Sequence, residues 1–219
     1  FGGRMVRIPY RDDANDLAAL AQAAREQGAK AVYLANPDNP TGAWHNADAL
    51  RAFMAQVPPD CMIILDEAYI EFAPPDTALP IETSDPRVLR LRTFSKAYGM
   101  AGARIAYVLG AASVVPAFDK VRLHFGVNRV AQAGALAALA DEAYLAEVVA
   151  QTAEGRADYA ALAHALELRP LPSATNFVAM DVGTPERAAA LVAALAARGV
   201  FIRMPGAPPI HRCIRVTVG

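Results

Sequence analysis

Short apolar runs alternate with amphipathic segments along the first half of the chain. In the amphipathic segments, apolar residues recur at intervals of three and four positions, which predicts helices over residues 13–27 and 46–56. The apolar runs are shorter and are typical of buried strands. The predicted strands span residues 5–8, 31–35, 62–65, 88–91 and 104–109.

This alternation of strands and helices is typical of an α/β fold with a mainly parallel sheet. Three of the predicted strands are followed directly by polar loops. These loops are NPDNPTG at residues 36–42, the segment from Asp66 to Tyr69, and the segment from Thr93 to Lys96. Because ligands bind beyond the carboxyl ends of parallel strands, we expect the three loops to converge on one site.

The pattern changes after about Asp141. An Ala-rich segment predicts one long helix over residues 144–168, and a further helix is predicted over residues 185–198. Strands are predicted at residues 176–181, 200–203 and 213–218. We therefore expect residues 1–142 to form part of a large domain. Residues 143–219 would form a connecting helix and a smaller α+β domain.

Composition narrows the class of protein. The 219 residues are 54% hydrophobic and 20% charged, as in a globular chain, and the net charge of −1 argues against nucleic-acid binding. Two cysteines are too few for a disulfide scaffold and fit a reducing, cytoplasmic compartment. The longest apolar stretch, residues 105–118, is too short to span a membrane, which needs ~20 residues. Both ends look like the interior of a longer protein.

Lys96 and Asp66 are the first candidates for chemistry. A lysine amine can form a Schiff base when its surroundings lower its pKa, although most lysines are simply solvated. Asp66 and Glu67 follow a strand and could either cap its end or pair with a ring nitrogen or a metal. The four histidines are scattered along the sequence, so we predict no metal site.

Hydroxyl groups and arginines add candidates for anion binding. Thr93, Ser95 and Arg104 could form a phosphate cup, because a guanidinium is a preferred partner of phosphate. Ordinary turn chemistry is the alternative for these residues. Arg215 lies in an apolar strand, where it could bind a ligand or protect a sheet edge. The sequence has no dinucleotide fingerprint, no phosphate-binding P-loop and no nucleophile elbow.

Five segments together resemble the fold-type I pyridoxal-phosphate enzymes of the aminotransferase class I/II group. They are NPDNPTG (36–42), DEAYIEF (66–72), TFSKAYGMAGARIAY (93–107), SATNFV (173–178) and CIRVTVG (213–219). Within this group, the sequence is most similar to the histidinol-phosphate aminotransferases of histidine biosynthesis. The resemblance implies pyridoxal 5′-phosphate as cofactor and a homodimer. It also implies amino transfer between histidinol phosphate or imidazole-acetol phosphate and glutamate or 2-oxoglutarate.

The resemblance also implies roles for individual residues around the cofactor. Lys96 would carry the cofactor and move a proton during the reaction, and Asp66 would hold the ring nitrogen protonated. Tyr69 and Asn39 would hydrogen-bond the 3′ oxygen of the ring. The side chains that would anchor the cofactor phosphate are Thr93, Ser95 and Arg104.

Three further residues would contact the substrate. Arg215 would bind the α-carboxylate in a bidentate pair, and Arg203 matches the position used toward the substrate phosphate. Asn176 would lie near the substrate. Members of the family are longer at both ends, and the part before residue 1 would supply a helix N-terminus for the cofactor phosphate and an aromatic that stacks on the ring.

Other functions fit the same sequence. With the same cofactor, the chain could act as an aromatic amino-acid aminotransferase or as a decarboxylase of amino-acid phosphates. A fragment that only folds or dimerises, without catalysis, is the third alternative.

Overall fold

Two β-sheets and five α-helices organise residues 2–218, the part of the chain that this computed structural model describes. Phe1 and Gly219, at the outer ends of the predicted domains, lie outside it. The α-helices are α1 (Leu17–Glu26), α2 (Ala47–Gln56), α3 (Arg129–Ala140), α4 (Glu142–Ala165) and α5 (Pro185–Ala196). The strands are β1 (Ala31–Ala35), β2 (Met62–Asp66), β3 (Val88–Thr93), β4 (Ala106–Leu109), β5 (Arg169–Pro170), β6 (Phe177–Asp181) and β7 (Cys213–Thr217).

The first sheet has the strand order β1-β2-β3-β4. Strands β1, β2 and β3 run parallel, and β4 pairs antiparallel with β3. The parallel strands therefore end at one edge of the sheet, as expected from their alternation with helices. Alternate residues of β1 and β2 are buried against α1 and α2, which gives this sheet its own apolar core. The buried side chains include Val32, Leu34, Leu50, Phe53, Ile63 and Leu65.

The helices of this core begin at residues suited to capping. Asp16 accepts a hydrogen bond from the backbone N–H of Ala19 at 3.0 Å, and Asn46 accepts one from Ala49 at 2.9 Å. Each cap satisfies a backbone donor that has no partner within the helix, which typically stabilises a helix by about 1 kcal/mol. Asn46, the first residue of the predicted second helix, is thus the N-cap of α2, and α1 begins four residues later than its hydrophobic pattern indicated.

The second sheet, β5-β6-β7, is antiparallel and packs against α4 and α5. Gly155, which interrupts the Ala-rich pattern of α4, lies against the side chain of Val218. A Cβ at Gly155 would come within 2.5 Å of Val218 Cγ1, so the glycine allows close approach of helix and chain end. The domain boundary near residue 142 stays a prediction.

Two predicted strands are wrong, and one helix was missed. Residues 5–8 form no strand, since no neighbouring strand pairs with them and Met5 is exposed. Residues 200–203 contribute only an isolated bridge, in which Arg203 and Arg215 exchange two backbone hydrogen bonds. The sequence analysis gave no helix at α3, whose first turn is capped by Asn128.

Among residues 2–218, none of the helices is both long enough and apolar enough to cross a bilayer. The same residues contain no group of three His, Cys, Asp or Glu side chains arranged to hold a metal ion.

Candidate functional site

The three polar loops meet at the carboxyl edge of the parallel strands. Ala35 lies opposite Asp66 in the register of β1 and β2, and the backbone N–H of Asn36 donates to the Asp66 carbonyl at 2.9 Å. The backbone N–H of Glu67 donates to the Leu91 carbonyl at 2.9 Å, which aligns β2 with β3 in the same way. The structure therefore brings the predicted loops together, because parallel pairing places successive strand ends side by side.

Asp66 ends β2 with both carboxylate oxygens hydrogen-bonded. Oδ1 accepts the backbone N–H of Ala68 at 3.0 Å, and Oδ2 accepts the hydroxyl of Tyr33 at 2.5 Å. Sequence reasoning did not select Tyr33. Ala35 and Tyr33 are two positions apart on β1 and share a face, so a long side chain at Tyr33 can reach the residue opposite Ala35.

Lys96 lies in the turn that follows β3, close to Tyr69. Its Nζ is 5.2 Å from the centroid of the Tyr69 ring, within the range of a cation–π contact. The turn is held by a hydrogen bond from the Gly99 N–H to the Lys96 carbonyl at 2.9 Å. Thr93 Oγ1 accepts the backbone N–H of Ser95 at 3.1 Å.

Phe177 connects this edge with the second sheet. Its ring packs edge-on against Tyr69 with centroids 5.5 Å apart, and the guanidinium carbon of Arg215 lies 4.6 Å from its centroid. Arg215 also donates to the side-chain oxygen of Asn39. Residues from NPDNPTG, from the segment after β2 and from β7 thus contact one another through a buried aromatic that the sequence analysis did not single out.

Arg215 is positioned to accept a ligand. Its Nε is buried and has no hydrogen-bond partner within the described residues. Burial lowers the pKa of Arg215, and the nearby positive charge of Arg203 adds to this effect, while Tyr69 opposes it. Arg203 lies across the backbone bridge and is exposed, with its guanidinium carbon 5.2 Å from the centroid of the Phe201 ring. The two guanidinium groups form a surface that favours anions.

The side chains of Arg104 and Asn176 form no hydrogen bond to the other predicted site residues within residues 2–218. Arg104 is exposed, has φ +54° and donates to the Ala101 carbonyl at 2.6 Å rather than to Thr93 or Ser95. Asn176 is half-buried, and its carbonyl accepts the backbone N–H of Val218 at 2.8 Å. The phosphate cup expected from Thr93, Ser95 and Arg104 is therefore not joined by hydrogen bonds among its own members.

The NPDNPTG loop is rigid because Asp38 is a buried acceptor at its centre. Asp38 Oδ1 accepts the Asn15 side-chain amide at 3.1 Å, and Oδ2 accepts the Thr41 hydroxyl at 2.8 Å. Gly42 then turns the chain with φ +85°, a conformation that favours glycine. The result is that Asn39 is presented on the exposed side of the loop.

The donor set defines the ligand chemistry that these residues could hold. A primary amine at Lys96 can bind an aldehyde or ketone carbon, and the carboxylate of Asp66 can accept a proton from a basic ring nitrogen. The phenol of Tyr69 can donate to a ring oxygen. The unpartnered Nε of Arg215 completes a guanidinium edge that matches a carboxylate. A ligand with an aldehyde, a ring nitrogen and anionic groups fits this arrangement.

Comparison with known proteins establishes the family. Residues 1–219 match the family described as aminotransferase class I and II, and the chain belongs to that family. The expected α/β architecture of the fold-type I enzymes is confirmed by its solved relatives.

Individual relatives are similar over the whole chain. A histidinol-phosphate aminotransferase of Ralstonia nicotianae is 39% identical over 222 residues, which cover 100% of this chain and 59% of that protein. One from Pseudomonas aeruginosa is 40% identical, covering 99% and 58% respectively. The crystal structure of histidinol-phosphate aminotransferase from Sinorhizobium meliloti, in complex with pyridoxal 5′-phosphate, superposes with a TM-score of 0.96. It is 50% identical, and the match covers 99% of this chain and 60% of that one. The chain thus spans about three fifths of the length of these relatives.

Proposed function

We propose that the protein is a pyridoxal-phosphate-dependent aminotransferase that acts in histidine biosynthesis. It would exchange the amino group between histidinol phosphate or imidazole-acetol phosphate and glutamate or 2-oxoglutarate. The observation that carries this proposal is that three side chains lie at one sheet edge: Asp66 at the end of β2, Lys96 beside Tyr69, and Arg215 beside Phe177, whose ring packs on Tyr69. The names of the relatives support the choice of substrate.

When bound, pyridoxal phosphate supplies an electron sink that stabilises negative charge at the substrate Cα. Asp66 faces the ring nitrogen in this proposal and keeps a proton there through a charge-assisted hydrogen bond. Lys96 holds the cofactor in the resting protein. Once displaced by substrate, its amine moves a proton from the substrate Cα to C4′ of the cofactor.

Tyr69 and Asn39 would orient the ring by donating hydrogen bonds to its 3′ oxygen. Asn39 already bonds to Arg215, so the residue that binds the ring oxygen also orients the guanidinium that binds the substrate carboxylate. A bidentate pair with Arg215 would fix the substrate so that its Cα lies close to Lys96. Proximity of this kind is a major source of rate enhancement.

The phosphate groups would be bound by the remaining candidates. The cofactor phosphate would be anchored by Thr93, Ser95 and Arg104, which requires the exposed Arg104 side chain to leave the Ala101 carbonyl. Arg203 is exposed beside Arg215 and would bind the substrate phosphate. Asn176 would lie near the substrate.

A homodimer is part of this proposal. Residues 121–130 are exposed and contain several large apolar side chains, and Phe125 is 98% exposed. Apolar surface of this extent is typical of a surface that another chain covers. A Phe125→Asp variant should shift the sedimentation coefficient of the full-length protein toward the monomer, and an unchanged value would contradict this part of the proposal.

The cysteines bear on the compartment. Cys61 and Cys213 are buried and form no disulfide, which supports action in the reducing cytoplasm.

Spectroscopy of the full-length protein tests the reaction. Pyridoxal phosphate should give a visible absorption band that Lys96→Ala removes, while Lys120→Ala, at an exposed lysine, leaves it unchanged. Histidinol phosphate should discharge the band faster than phenylalanine does. Equal rates would favour an aromatic aminotransferase, and carbon dioxide release from an amino-acid phosphate would favour a decarboxylase. A Lys96→Ala protein with the parent rate would overturn the catalytic assignment.

A further inference from the structure

Tyr33 of β1 is bonded to the acidic residue at the centre of the proposed site. Its hydroxyl lies 2.5 Å from Asp66 Oδ2, whereas the ring itself is largely open to solvent, with 56% of the residue exposed. An exposed tyrosine that merely covered the sheet would gain little from directing its hydroxyl at one carboxylate oxygen. The contact therefore needs a reason beyond packing.

The register of the sheet explains how this contact forms. Asp66 lies opposite Ala35, and Tyr33 is two residues earlier on the same face of β1. Diagonal neighbours on adjacent strands are separated by a distance that an aromatic side chain spans. The backbone geometry of the sheet, rather than a flexible loop, thus places the phenol on Oδ2.

The two donors to Asp66 act on different oxygens. The backbone N–H of Ala68 holds Oδ1 at 3.0 Å, and the Tyr33 hydroxyl holds Oδ2. Two donors fix the rotation of a carboxylate that one donor would leave free. Each oxygen has two acceptor positions, so one lone pair on each remains for a ring nitrogen.

We propose that Tyr33 is a positioning residue that orients the Asp66 carboxylate toward the ring nitrogen of the cofactor. This inference rests on the proposed function, since Asp66 has that role only in a pyridoxal-phosphate enzyme. Tyr33 does not touch the reacting atoms and acts through Asp66. Its effect is to hold the acceptor in place before the cofactor binds, which lowers the cost of ordering it.

Tyr33 stays a hydrogen-bond donor over the working pH range. Partial burial raises the pKa of Tyr33 well above its usual value, and the hydrogen bond to Asp66 raises it further. Asp38 and Tyr69 lie near the phenol and also raise the pKa of Tyr33, and Tyr10 is a further titratable group that interacts with it. The phenol therefore remains protonated wherever Asp66 is to be oriented.

The test compares Tyr33→Phe with the parent full-length protein, using pyridoxal phosphate itself as the probe. The variant keeps the ring and removes only the hydroxyl, so we expect about tenfold weaker cofactor binding, as for the loss of a charge-assisted hydrogen bond. The pH midpoint of the visible band should rise. The reason for this rise is that Asp66 would hold the ring nitrogen less firmly as a cation. The ring would then withdraw less electron density from the nitrogen of Lys96, which becomes more basic.

Two controls separate positioning from a structural role. Tyr159→Phe alters a tyrosine packed in the core of the second sheet, and it should change neither the affinity nor the pH midpoint. In an Asp66→Asn background, Tyr33→Phe should produce no further loss of affinity, because Tyr33 acts only through that carboxylate.

The outcomes distinguish this inference from the proposed function. A parent protein that fails to bind pyridoxal phosphate would overturn both. Normal parental binding with an unchanged affinity and pH midpoint in Tyr33→Phe would overturn the positioning role alone. So would an equal loss in the Asp66→Asn background, since the hydroxyl would then act by another route.

Discussion

The Glu67 carboxylate is enclosed by two arginines, so neutralising it tests how the sheet beneath the site is stabilised. Glu67 is 1% exposed and accepts hydrogen bonds from Arg90 Nε at 3.0 Å, Arg90 Nη2 at 2.8 Å and Arg92 Nε at 2.8 Å. The side chains of Arg90 and Arg92 are 3% and 15% exposed. Replacing Glu67 with Gln leaves two nearly buried positive charges without their counter-ion.

The structure sets the size of the expected effect. Breaking a buried ion pair by removing one partner typically costs about 3–5 kcal/mol, because the remaining charge is buried without compensation. Arg90 keeps hydrogen bonds to the carbonyls of Leu79 and Pro80, at 3.0 and 2.7 Å. The amide oxygen of Gln can still accept hydrogen bonds from the arginines, although its NH2 group cannot. We therefore expect a loss near the lower end of that range, about 3 kcal/mol. A typical domain has a total stability of about 5–15 kcal/mol.

Urea unfolding followed by circular dichroism measures this loss as a change in the free energy of unfolding. Glu82→Gln is a matched control, because Glu82 is an exposed carboxylate whose only side-chain hydrogen bond within residues 2–218 is from the Ser84 hydroxyl, at 2.7 Å. Its effect should stay within about 0.5 kcal/mol. A Glu67→Gln protein that loses less than about 1 kcal/mol would refute the argument from uncompensated buried charge.

Three further changes test other parts of the structure. Asp13→Asn should lower the free energy of unfolding at pH 7 by about 2 kcal/mol. Burial by itself would raise the pKa of Asp13, but hydrogen bonds from Arg212 and Arg169 lower it below its usual value. The stabilisation is therefore lost as pH falls through this lowered pKa. Calorimetry should show the stability difference between variant and parent disappearing below about pH 4. Glu71→Gln should stabilise the protein at pH 8 by about 2 kcal/mol, because burial raises the Glu71 pKa to about 7. Because this pKa lies above that of Glu in the unfolded chain, the parent should lose stability as pH rises toward 7. Equal stability of the parent at pH 5 and pH 8 would contradict this expectation. Gly42→Ala should lower the melting temperature, since a Cβ there would lie 2.5 Å from Ser173 Oγ at φ +85°, and an unchanged melting temperature would rule out that clash.

The first sheet could be predicted from the sequence because each of its strands is indicated by a local hydrophobic pattern. The strands β1 and β2 are short, mainly apolar runs bounded by polar loops, and β3 begins with the apolar residues Val88 and Leu89 before Arg90 and Arg92 interrupt the pattern. The convergence of the three loops then follows from topology alone, since parallel strands end at one edge. Lys96 and Asp66 can be selected from the sequence by the chemistry of their side chains and their positions after predicted strands, whereas Tyr69 is selected only through the family resemblance.

The residues that sequence reasoning missed depend on contacts between distant segments. In the sequence, nothing distinguishes Phe177 from other apolar strand residues. Its contacts with Tyr69 and Arg215 form only in the folded protein. Tyr33 donates a hydrogen bond to Asp66 because of the register between β1 and β2, which the sequence does not reveal. The predicted strands at residues 5–8 and 200–203 failed for the converse reason. Their apolar pattern suits a strand, but a strand forms only where a neighbour supplies hydrogen-bond partners.

Strand alternation explains why two adjacent carboxylates lie in different surroundings. The sequence places Asp66 and Glu67 together, and composition alone gives no reason to prefer either for chemistry. Successive side chains at a strand end point to opposite faces of the sheet. Asp66 therefore faces Tyr33 and the loops, whereas Glu67 turns into the protein and meets Arg90 and Arg92. Exchanging the two residues would keep a carboxylate on each face but would lengthen one side chain and shorten the other by a methylene group, which would misplace both the acceptor at position 66 and the counter-ion of Arg90 and Arg92.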